Sequence, residues 1–325
     1  MKLRSSIVGV LALALVTVTG CSGADESTKD SAGGSGLEKT KITVGTMPVV
    51  DTAPLQIAMD QGLFKAEGLD VTLTPLAGGA EAIPQLKRGS LDISFGNYVS
   101  FFSASAKGVI DLRIVADGFQ SGPKTHVIMV PKDSPIQTPA DLEGKTIAVN
   151  TKRNVASMLV RVAAKAHNVE LDEDKNFVEA PFPEMEGLLK AGTVDAAQVV
   201  EPFGTFVGQN IGARIIWDTS EGPTADFPIA GYASTAEFAK ANPNTAAAFQ
   251  RAMAKAQALA ADRANVVAAI PKYTKIPAEA AGSLAIGGFP TTLNATRLQR
   301  VADSMKEYGL LDAPLNVQDL IVADR

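Results

Sequence analysis

The chain has 325 residues and a formal net charge of −5, with 46% hydrophobic and 20% charged residues. This composition is typical of a globular protein long enough for two medium-sized domains, and its acidic balance excludes the basic surface that nucleic-acid binding requires. Two histidines and one cysteine argue against most metal sites, Cys–His catalysis and internal disulfides. We therefore expect no metal, no cofactor and no nucleic-acid partner.

Residues 1–20 have the pattern of a targeting segment. Lys2 and Arg4 precede an uncharged apolar run at 7–18, which is too short to span a bilayer but suits a signal-peptide core. The run ends in Val-Thr-Gly-Cys, and Cys21 is the one cysteine of the chain. This ending resembles a bacterial lipobox, which implies cleavage before Cys21 and lipid on its sulfur. An ordinary secretory signal with an unrelated cysteine is the alternative.

After the targeting segment, residues 21–40 are small, polar and rich in Gly and Ser, which predicts a flexible tether. From residue 41 onward, short β-type segments alternate with helical ones. The predicted strands are 41–46, 70–76, 93–95, 112–116, 125–131, 146–149, 177–179, 196–200, 214–217 and 229–234. This alternation predicts an α/β fold with largely parallel sheets.

Four helices are predicted in enough detail to be checked. One runs from Ala53 to about Gly62, and one follows Gly78-Gly79 and starts late enough to hold Pro84 in its first turn, where proline is tolerated. A third, at 154–167, has a clean apolar stripe. The fourth is a long Ala-rich helix that we expect the pair Asn242-Pro243 to cap, with Ala246, Phe249, Met253, Ala256 and Ala260 facing inward.

A short motif occurs twice in this alternation. Residues 86–92 read LKRGSLD and residues 189–195 read LKAGTVD. Each copy is typical of a helix end, a glycine turn and a strand entered through an Asp. The repeat predicts two similar lobes, with coincidence as the alternative because such turns are common. Ligands of open α/β sheets bind beyond the carboxyl ends of strands, so two facing lobes predict a cleft between them.

Four segments resemble a family of solute-binding proteins. They are 53–58 (APLQIA) with 61–71 (QGLFKAEGLDV), the first repeat copy with Gly96-Asn97, 138–149 (TPADLEGKTIAV) and 200–203 (VEPF). Over 41–325 the chain is similar to solute-binding proteins of ABC importers, in the nitrate, sulfonate, taurine and thiamine-precursor-like subgroup. The resemblance implies the two-lobed type II periplasmic-binding-protein fold, each lobe being a mixed, mostly parallel sheet flanked by helices. Lobe 1 is expected at 41–131 plus 236–325 and lobe 2 at 132–235, with hinge closure over a small solute.

The first candidate ligand contacts follow the early strands. Met47, Asp51 and Thr52 come after the first strand, where the family lines its pocket, although Asp51 or Thr52 is also placed to cap the next helix. Gly78 and Gly79 are suited to present bare N–H groups to a ligand oxygen. A tight turn is their alternative role.

A second set of candidates lies after later strands and near the expected crossovers. Asn97 and Tyr98 begin a helix, so capping and core packing are their alternatives. Glu201 matches the family's acidic position after the lobe 2 strand and is expected to bond either the solute or a hinge backbone. Gln120 and Phe227 lie near the crossovers or the rim, where surface packing is the alternative to covering a ligand.

Residues 151–154 (TKRN) are the strongest candidate site, because they join a strand to an amphipathic helix. A helix N-terminus attracts anions through its free N–H groups and its dipole. A cation there opposes the dipole, so Arg153 is suited to grip a carboxylate, sulfonate or phosphate, with a solvated rim position as the alternative. Thr151, Arg153 and Asn154 are therefore candidate contacts, and we expect an anionic or carboxylate- or sulfonate-bearing solute.

These features predict a lipid-anchored solute receptor on the outer face of a bacterial cell membrane. We expect a monomer without enzymatic activity that delivers its solute to an ABC permease. The chain has no Gly-x4-Gly-Lys-[Ser/Thr] loop, which fits ATP hydrolysis by separate subunits. One alternative is an enzyme resembling thiamine-pyrimidine synthases, which need a reactive histidine, a cofactor lysine and a cysteine-rich motif that this chain does not have. The other is a sensory or adhesive lipoprotein.

Overall fold

The computed structural model describes residues 36–322. The predicted signal segment, Cys21 and most of the predicted tether lie outside the described residues. The strands are β1 (Lys41–Thr46), β2 (Asp70–Pro75), β3 (Ile93–Asn97), β4 (Leu112–Gln120), β5 (His126–Val130), β6 (Ile147–Val149), β7 (Phe177–Glu179), β8 (Ala196–Val200), β9 (Arg214–Asp218) and β10 (Pro228–Thr235). All ten predicted strands are confirmed, with small shifts at their ends.

Helices connect most of these strands. They are α1 (Ala53–Asp60), α2 (Leu63–Ala66), α3 (Gly79–Lys87), α4 (Tyr98–Ala106), α5 (Val155–Ala166), α6 (Phe182–Ala191), α7 (Phe203–Ile211), α8 (Ala236–Ala241), α9 (Pro243–Ala260), α10 (Arg263–Ala269), α11 (Ala278–Ala281) and α12 (Ala295–Glu307). Over 36–322, none of them has both the length and the apolar character needed to cross a membrane.

The strands form two five-stranded sheets with equivalent topology. The first has the order β2-β1-β3-β10-β4 and the second β7-β6-β8-β5-β9. In each sheet four strands share one direction, and a single strand, β10 or β5, runs antiparallel to its two neighbours. The predicted two-lobed fold of mixed, mostly parallel sheets is therefore confirmed.

The sequence repeat marks equivalent positions in the two sheets. The carboxylate of Asp92 accepts a hydrogen bond from the backbone N–H of Thr43 at 2.9 Å, and Asp195 accepts one from Thr146 at 2.8 Å. In each lobe, the Asp just before the third strand therefore bonds to the backbone at the start of the neighbouring strand, β1 or β6. The glycine of each copy has a positive φ, 73° and 67°, as a left-handed helix end requires.

The lobe boundaries differ from the predicted ones. The sequence places β5 in lobe 1, but β5 pairs with β8 and β9 in the second sheet. The sequence places β10 in lobe 2, but β10 pairs with β3 and β4 in the first sheet. Each antiparallel strand has just crossed from the other lobe, so the crossovers lie before these strands, at 121–125 and 219–227. The error arose because strand patterns do not reveal which sheet a strand joins.

α9 ties the helices of lobe 1 to its sheet. All five residues predicted to face inward are buried. The ring of Phe249 packs 5.4 Å from Phe64 of α2 and 5.5 Å from Tyr232 of β10, between ring centroids. The predicted apolar face is therefore confirmed.

The start of α9 and the end of the tether differ from the prediction. Asn242 forms no side-chain cap; its amide donates to the carbonyl of Phe238 at 3.0 Å. The carboxylate of Glu38 instead accepts hydrogen bonds from the backbone N–H groups of Asn244 and Thr245, at 3.1 and 3.0 Å. Residues 36–40 therefore contact the folded body, which begins before residue 41.

Pro84 also differs from the prediction, because it lies inside α3 rather than in its first turn. The helix begins at Gly79, where a Cβ atom would lie 3.3 Å from the backbone nitrogen of Asn97. Gly79 thus lies close against the end of β3, and α3 tolerates Pro84 in its interior.

Candidate functional site

A cavity lies between the lobes, where both sheets present the carboxyl ends of their parallel strands. Its walls also include the first residues of β5 and β10, because these antiparallel strands begin at that same edge. The lining residues are Met47, Val49, Asp51, Gly79, Phe95, Asn97, His126, Asn150, Thr151, Asn154, Val155, Ala156, Phe182, Gln198, Val200, Ile229 and Ala230. The centres of water-sized molecules can occupy about 60 Å³ of this cavity. One ordered water needs about 10–15 Å³ of such space, so the cavity suits a few waters or one small solute.

Asp51 supplies the negative charge of this cavity. Among the described residues that line it, Asp51 is the only acid and none is Lys or Arg. Burial raises the pKa of Asp51 from 3.8 to about 7, and a hydrogen bond from its own backbone N–H opposes the rise. The carboxyl group is therefore near its titration midpoint at neutral pH, with no counter-charge in the cavity wall.

Gln198 presents a buried acceptor in the middle of β8. Its side chain is 0% exposed, and its Nε2 donates to the carbonyl of Val199 at 3.3 Å. This bond fixes the amide orientation, because a flipped amide would place two oxygens together. Its Oε1 has no hydrogen-bond partner among the described residues.

His126 adds a neutral imidazole. Burial lowers its pKa from 6.5 to about 4, so the ring is uncharged at neutral pH. Its Nδ1 lies 3.2 Å from the hydroxyl oxygen of Thr125, whose proton is donated to the carbonyl of Gly122 at 2.8 Å. A neutral imidazole has one donor nitrogen and one acceptor nitrogen, so the His126 ring can both give and receive a hydrogen bond.

Two asparagines at the cavity wall cap helices, a role that the sequence indicates for Asn97 but not for Asn154. The side-chain oxygen of Asn97 accepts from the backbone N–H of Ser100 at 2.8 Å at the start of α4. That of Asn154 accepts from Val155 at 2.7 Å at the start of α5. The amide of Asn154 also donates to the hydroxyl of Ser100 at 2.8 Å, which joins the two lobes across the cleft.

Six of the predicted contacts line the cavity: Met47, Asp51, Gly79, Asn97, Thr151 and Asn154. Arg153 does not. Its side chain is 60% exposed and its guanidinium contacts both carboxylate oxygens of Asp174, at 2.8 and 3.0 Å. It lies at a separate polar groove. The structure therefore gives no basis for the predicted grip of Arg153 on an anion.

Three more predicted contacts belong to the interior or rim of lobe 1. The hydroxyl of Tyr98 is buried and donates to Asp117 at 2.7 Å, so the core interpretation of Tyr98 holds. Phe227 is buried beneath the guanidinium of Arg300, 5.7 Å from its ring centroid. The backbone N–H of Gln120 donates to an adjoining loop at 3.0 Å. Tyr98 and Phe227 therefore pack in the interior, and the backbone of Gln120 holds the loop that contains Gly288.

The remaining predicted contacts shape loops beside the cavity. The hydroxyl of Thr52 donates to two carbonyls of its own loop at 2.8 and 3.0 Å. Gly78 approaches Asn150, and a Cβ atom there would lie 3.4 Å from its side-chain oxygen. The carboxylate of Glu201 accepts from the backbone N–H and hydroxyl of Thr205 at 3.0 and 3.1 Å, which stabilises the first turn of α7.

Sequence reasoning missed His126, Gln198 and Asn150 as cavity residues. Gln198 carried a usable signal, because it is the one polar residue in the strand AAQVV and a buried polar group needs a partner. His126 carried none, because its position depends on β5 running antiparallel. Asn150 directly follows β6, where the same strand-end rule that selected Thr151 applies.

The fold and cavity define a two-lobed periplasmic-binding-protein fold, and comparisons with known proteins agree. The alkanesulfonate-binding protein SsuA from Xanthomonas axonopodis pv. citri, bound to MOPS, superposes with a TM-score of 0.73 at 20% identity, covering 87% of this chain and 98% of that one. The periplasmic nitrate-binding protein NrtA from Synechocystis PCC 6803 gives a TM-score of 0.72 at 17% identity, covering 88% and 86%.

A family model assigns the chain more specifically. The model of the NMT1-like family matches residues 35–271, and the chain belongs to that family. Among curated relatives, the nitrate import ATP-binding protein NrtC of Synechocystis is 26% identical over 212 residues, which is 60% of this chain and 32% of the relative. The chain thus spans about a third of that relative's length.

Proposed function

We propose that the protein is the solute-binding component of an ABC importer and captures a small polar solute between its lobes. The observation that carries the proposal is the cavity at the carboxyl edges of both sheets, lined by Asp51, His126 and Gln198. The names of the nitrate import and sulfonate-binding relatives support a small polar ligand. The expectation of an anion depends largely on the loop at 151–154, whose Arg153 pairs with Asp174, so no negative charge is assigned.

Contacts between the lobes support a closed, solute-holding conformation. The backbone N–H of Val50 in lobe 1 donates to the carbonyl of Glu201 in lobe 2 at 3.2 Å. The amide of Asn154 reaches Ser100 at 2.8 Å. These contacts lie beside the cavity, so a solute that fills it stabilises the same closed arrangement.

The crossovers form the hinge of this proposal. The backbone N–H of Ser121 in the first crossover donates to the carbonyl of Phe227 in the second at 2.8 Å. The hydroxyl of Ser121 donates to the carbonyl of Thr224 at 2.9 Å. Two short segments held side by side suit a rotation of one lobe relative to the other.

A thermal-shift screen tests solute binding. The panel contains inorganic anions, sulfonates, carboxylates, amines, amidines and pyrimidines, each added to the purified protein. A solute at 100 times its Kd raises the free energy of unfolding by about 2.7 kcal/mol, which gives a measurable rise in Tm. We expect at least one class to stabilise the protein without being consumed. Turnover of a stabilising compound would favour an enzyme, and no stabilisation by any class would contradict solute capture.

We also propose that Cys21 carries the lipid that holds the protein at the outer face of the cell membrane. The sequence that ends in Cys21 supports this proposal. Two or more acyl chains anchor a protein stably, whereas one is marginal. Cys21→Ser is expected to release the protein from the membrane fraction. Retention of this variant in that fraction would contradict lipid anchoring.

Delivery to a membrane permease completes the proposal. A monomer that closes over its solute presents both lobes to the permease, and ATP hydrolysis belongs to separate subunits. Deletion of an adjacent permease gene is expected to abolish uptake of the solute found in the screen while leaving its binding intact. Unchanged uptake in the deletion strain would favour a sensory or adhesive role.

A further inference from the structure

We infer that the solute presents N–H donors, and no negative charge, to the part of the cavity that contains Asp51. The inference rests on the proposed function and narrows it to a chemical class: amines, amidines, guanidines or amino-substituted rings. It concerns the charge and hydrogen-bonding character of the solute, not its identity.

The first argument is the pair of acceptors, on Asp51 and Gln198, in the cavity wall. Asp51 contributes a carboxyl group, and Gln198 contributes a side-chain oxygen that has no donor among the described residues. Buried acceptors are costly when they stay unsatisfied. A solute with several N–H groups supplies donors to both, whereas an anion such as nitrate has only acceptors to offer them.

The second argument is the placement of the cations. Over the described part of the chain, no Lys or Arg lines the cavity, and Arg153 is paired with Asp174 outside it. An anion in the cavity would therefore meet the Asp51 carboxylate without a compensating Lys or Arg side chain. The amide N–H2 of Asn97, whose oxygen is held by Ser100, remains available for one acceptor on a donor-rich solute.

A protonated Asp51 would support the opposite interpretation, in which the solute is an anion. With a pKa raised to about 7 by burial, the carboxyl group could keep its proton and donate it to an anion. The hydroxyls of Tyr232 and Tyr273, whose pKa values burial raises, lie close enough to interact with the Asp51 charge. His126 lines the same cavity with a neutral ring. None of these groups supplies a positive charge, so the direction of the pH effect distinguishes a donor-rich solute from an anion.

Three probes of one shape separate the classes. Guanidinium, urea and nitrate are planar and similar in size, but their charges are positive, zero and negative. They are titrated calorimetrically, at low millimolar concentrations, into the wild-type protein, into Asp51→Asn and into Asp133→Asn as a matched control with an exposed carboxylate. We expect guanidinium and urea to bind the wild type and the control. Asp51→Asn should weaken guanidinium at least tenfold and urea less.

A second measurement uses the unmodified protein and does not depend on how the variant folds. Guanidinium binding is expected to tighten between pH 6 and pH 8, because it favours the ionised form of Asp51. Guanidinium binding that weakens as pH rises, or a failure of both guanidinium and urea to bind, would overturn the inference. Nitrate binding that persists in Asp51→Asn would overturn it as well. If an anion from the thermal-shift screen binds in these cases, the proposed function stands and only the assigned solute class fails.

Discussion

At position 51 the fold buries a carboxyl group without giving it a cation, and this has a consequence for stability. Its pKa is raised from 3.8 to about 7, so between those values the folded state holds a proton that the unfolded chain has released. The free energy of unfolding therefore falls as pH rises through that window. His126 has the opposite effect, because burial lowers its pKa from 6.5 to about 4. Between those values the unfolded chain holds a proton that the folded state does not, so the free energy of unfolding falls as pH falls through that window.

The variant Asp51→Asn isolates the carboxyl contribution. Relative to wild type, we expect its free energy of unfolding to be unchanged near pH 4 and higher above pH 7. At about 1.4 kcal/mol per pKa unit the gain is at most a few kcal/mol, because the side chain keeps some contact with cavity water. Urea denaturation at both pH values measures it, with Asp133→Asn as the control. A gain that is equal at both pH values would contradict the assigned titration.

The positions of binding residues along the chain could be predicted better than the directions of their side chains. Strand ends identified Met47, Asp51 and Asn97, because the carboxyl edge of a sheet is fixed by topology. Arg153 was placed correctly in the chain, yet its guanidinium turns to Asp174, a residue from another loop. Local sequence does not determine such a pairing, because it depends on where the second loop packs.

Among the elements, α9 depends on a residue far from it in sequence. Its first backbone N–H groups bond to the carboxylate of Glu38, and a negative charge there also complements the helix dipole. The sequence predicted the helix and its buried face, because its apolar periodicity is local. It did not predict the cap, because Glu38 approaches only when residues 36–40 pack beside β1.

The variant Glu38→Ala is expected to destabilise the protein by about 1 kcal/mol, the usual effect of losing a helix cap. Differential scanning calorimetry would show a lower Tm. Glu143→Ala, which removes another exposed Glu, serves as the control and should leave Tm nearly unchanged. Equal Tm values for Glu38→Ala and wild type would mean that solvent caps this helix equally well.

At the scale of the whole molecule, the contacts that hold the two lobes together matter for the proposed hinge closure. The lobes also touch where α5 meets the end of α12. There Arg161 of lobe 2 donates to the carbonyl of Tyr308 in lobe 1 at 3.2 Å, and its guanidinium lies 5.6 Å from the centroid of the Tyr308 ring. Lys165 of the same helix pairs with Glu307 at 3.2 Å. The sequence repeat predicted the two lobes, but not these contacts or the correct boundaries, since both require knowing which sheet β5 and β10 join.

The variant Arg161→Met is expected to shift the solute-free protein toward an open arrangement. Small-angle X-ray scattering should give a larger radius of gyration than wild type. Arg251→Met is a matched control, because Arg251 pairs with Glu67 within lobe 1 at 2.8 Å. An unchanged radius of gyration in Arg161→Met would show that this contact does not hold the lobes together.

The central claim is that the cavity between the lobes is the solute site, and a titration of cavity-blocked protein tests it most directly. Val155 lines the cavity at the start of α5, whereas Val178 is exposed on β7. The strongest stabiliser from the screen is titrated calorimetrically into wild type, Val155→Phe and Val178→Phe. We predict one solute per wild-type or Val178→Phe molecule and at least a tenfold weaker affinity for Val155→Phe. Equal affinity for Val155→Phe and wild type would contradict the claim.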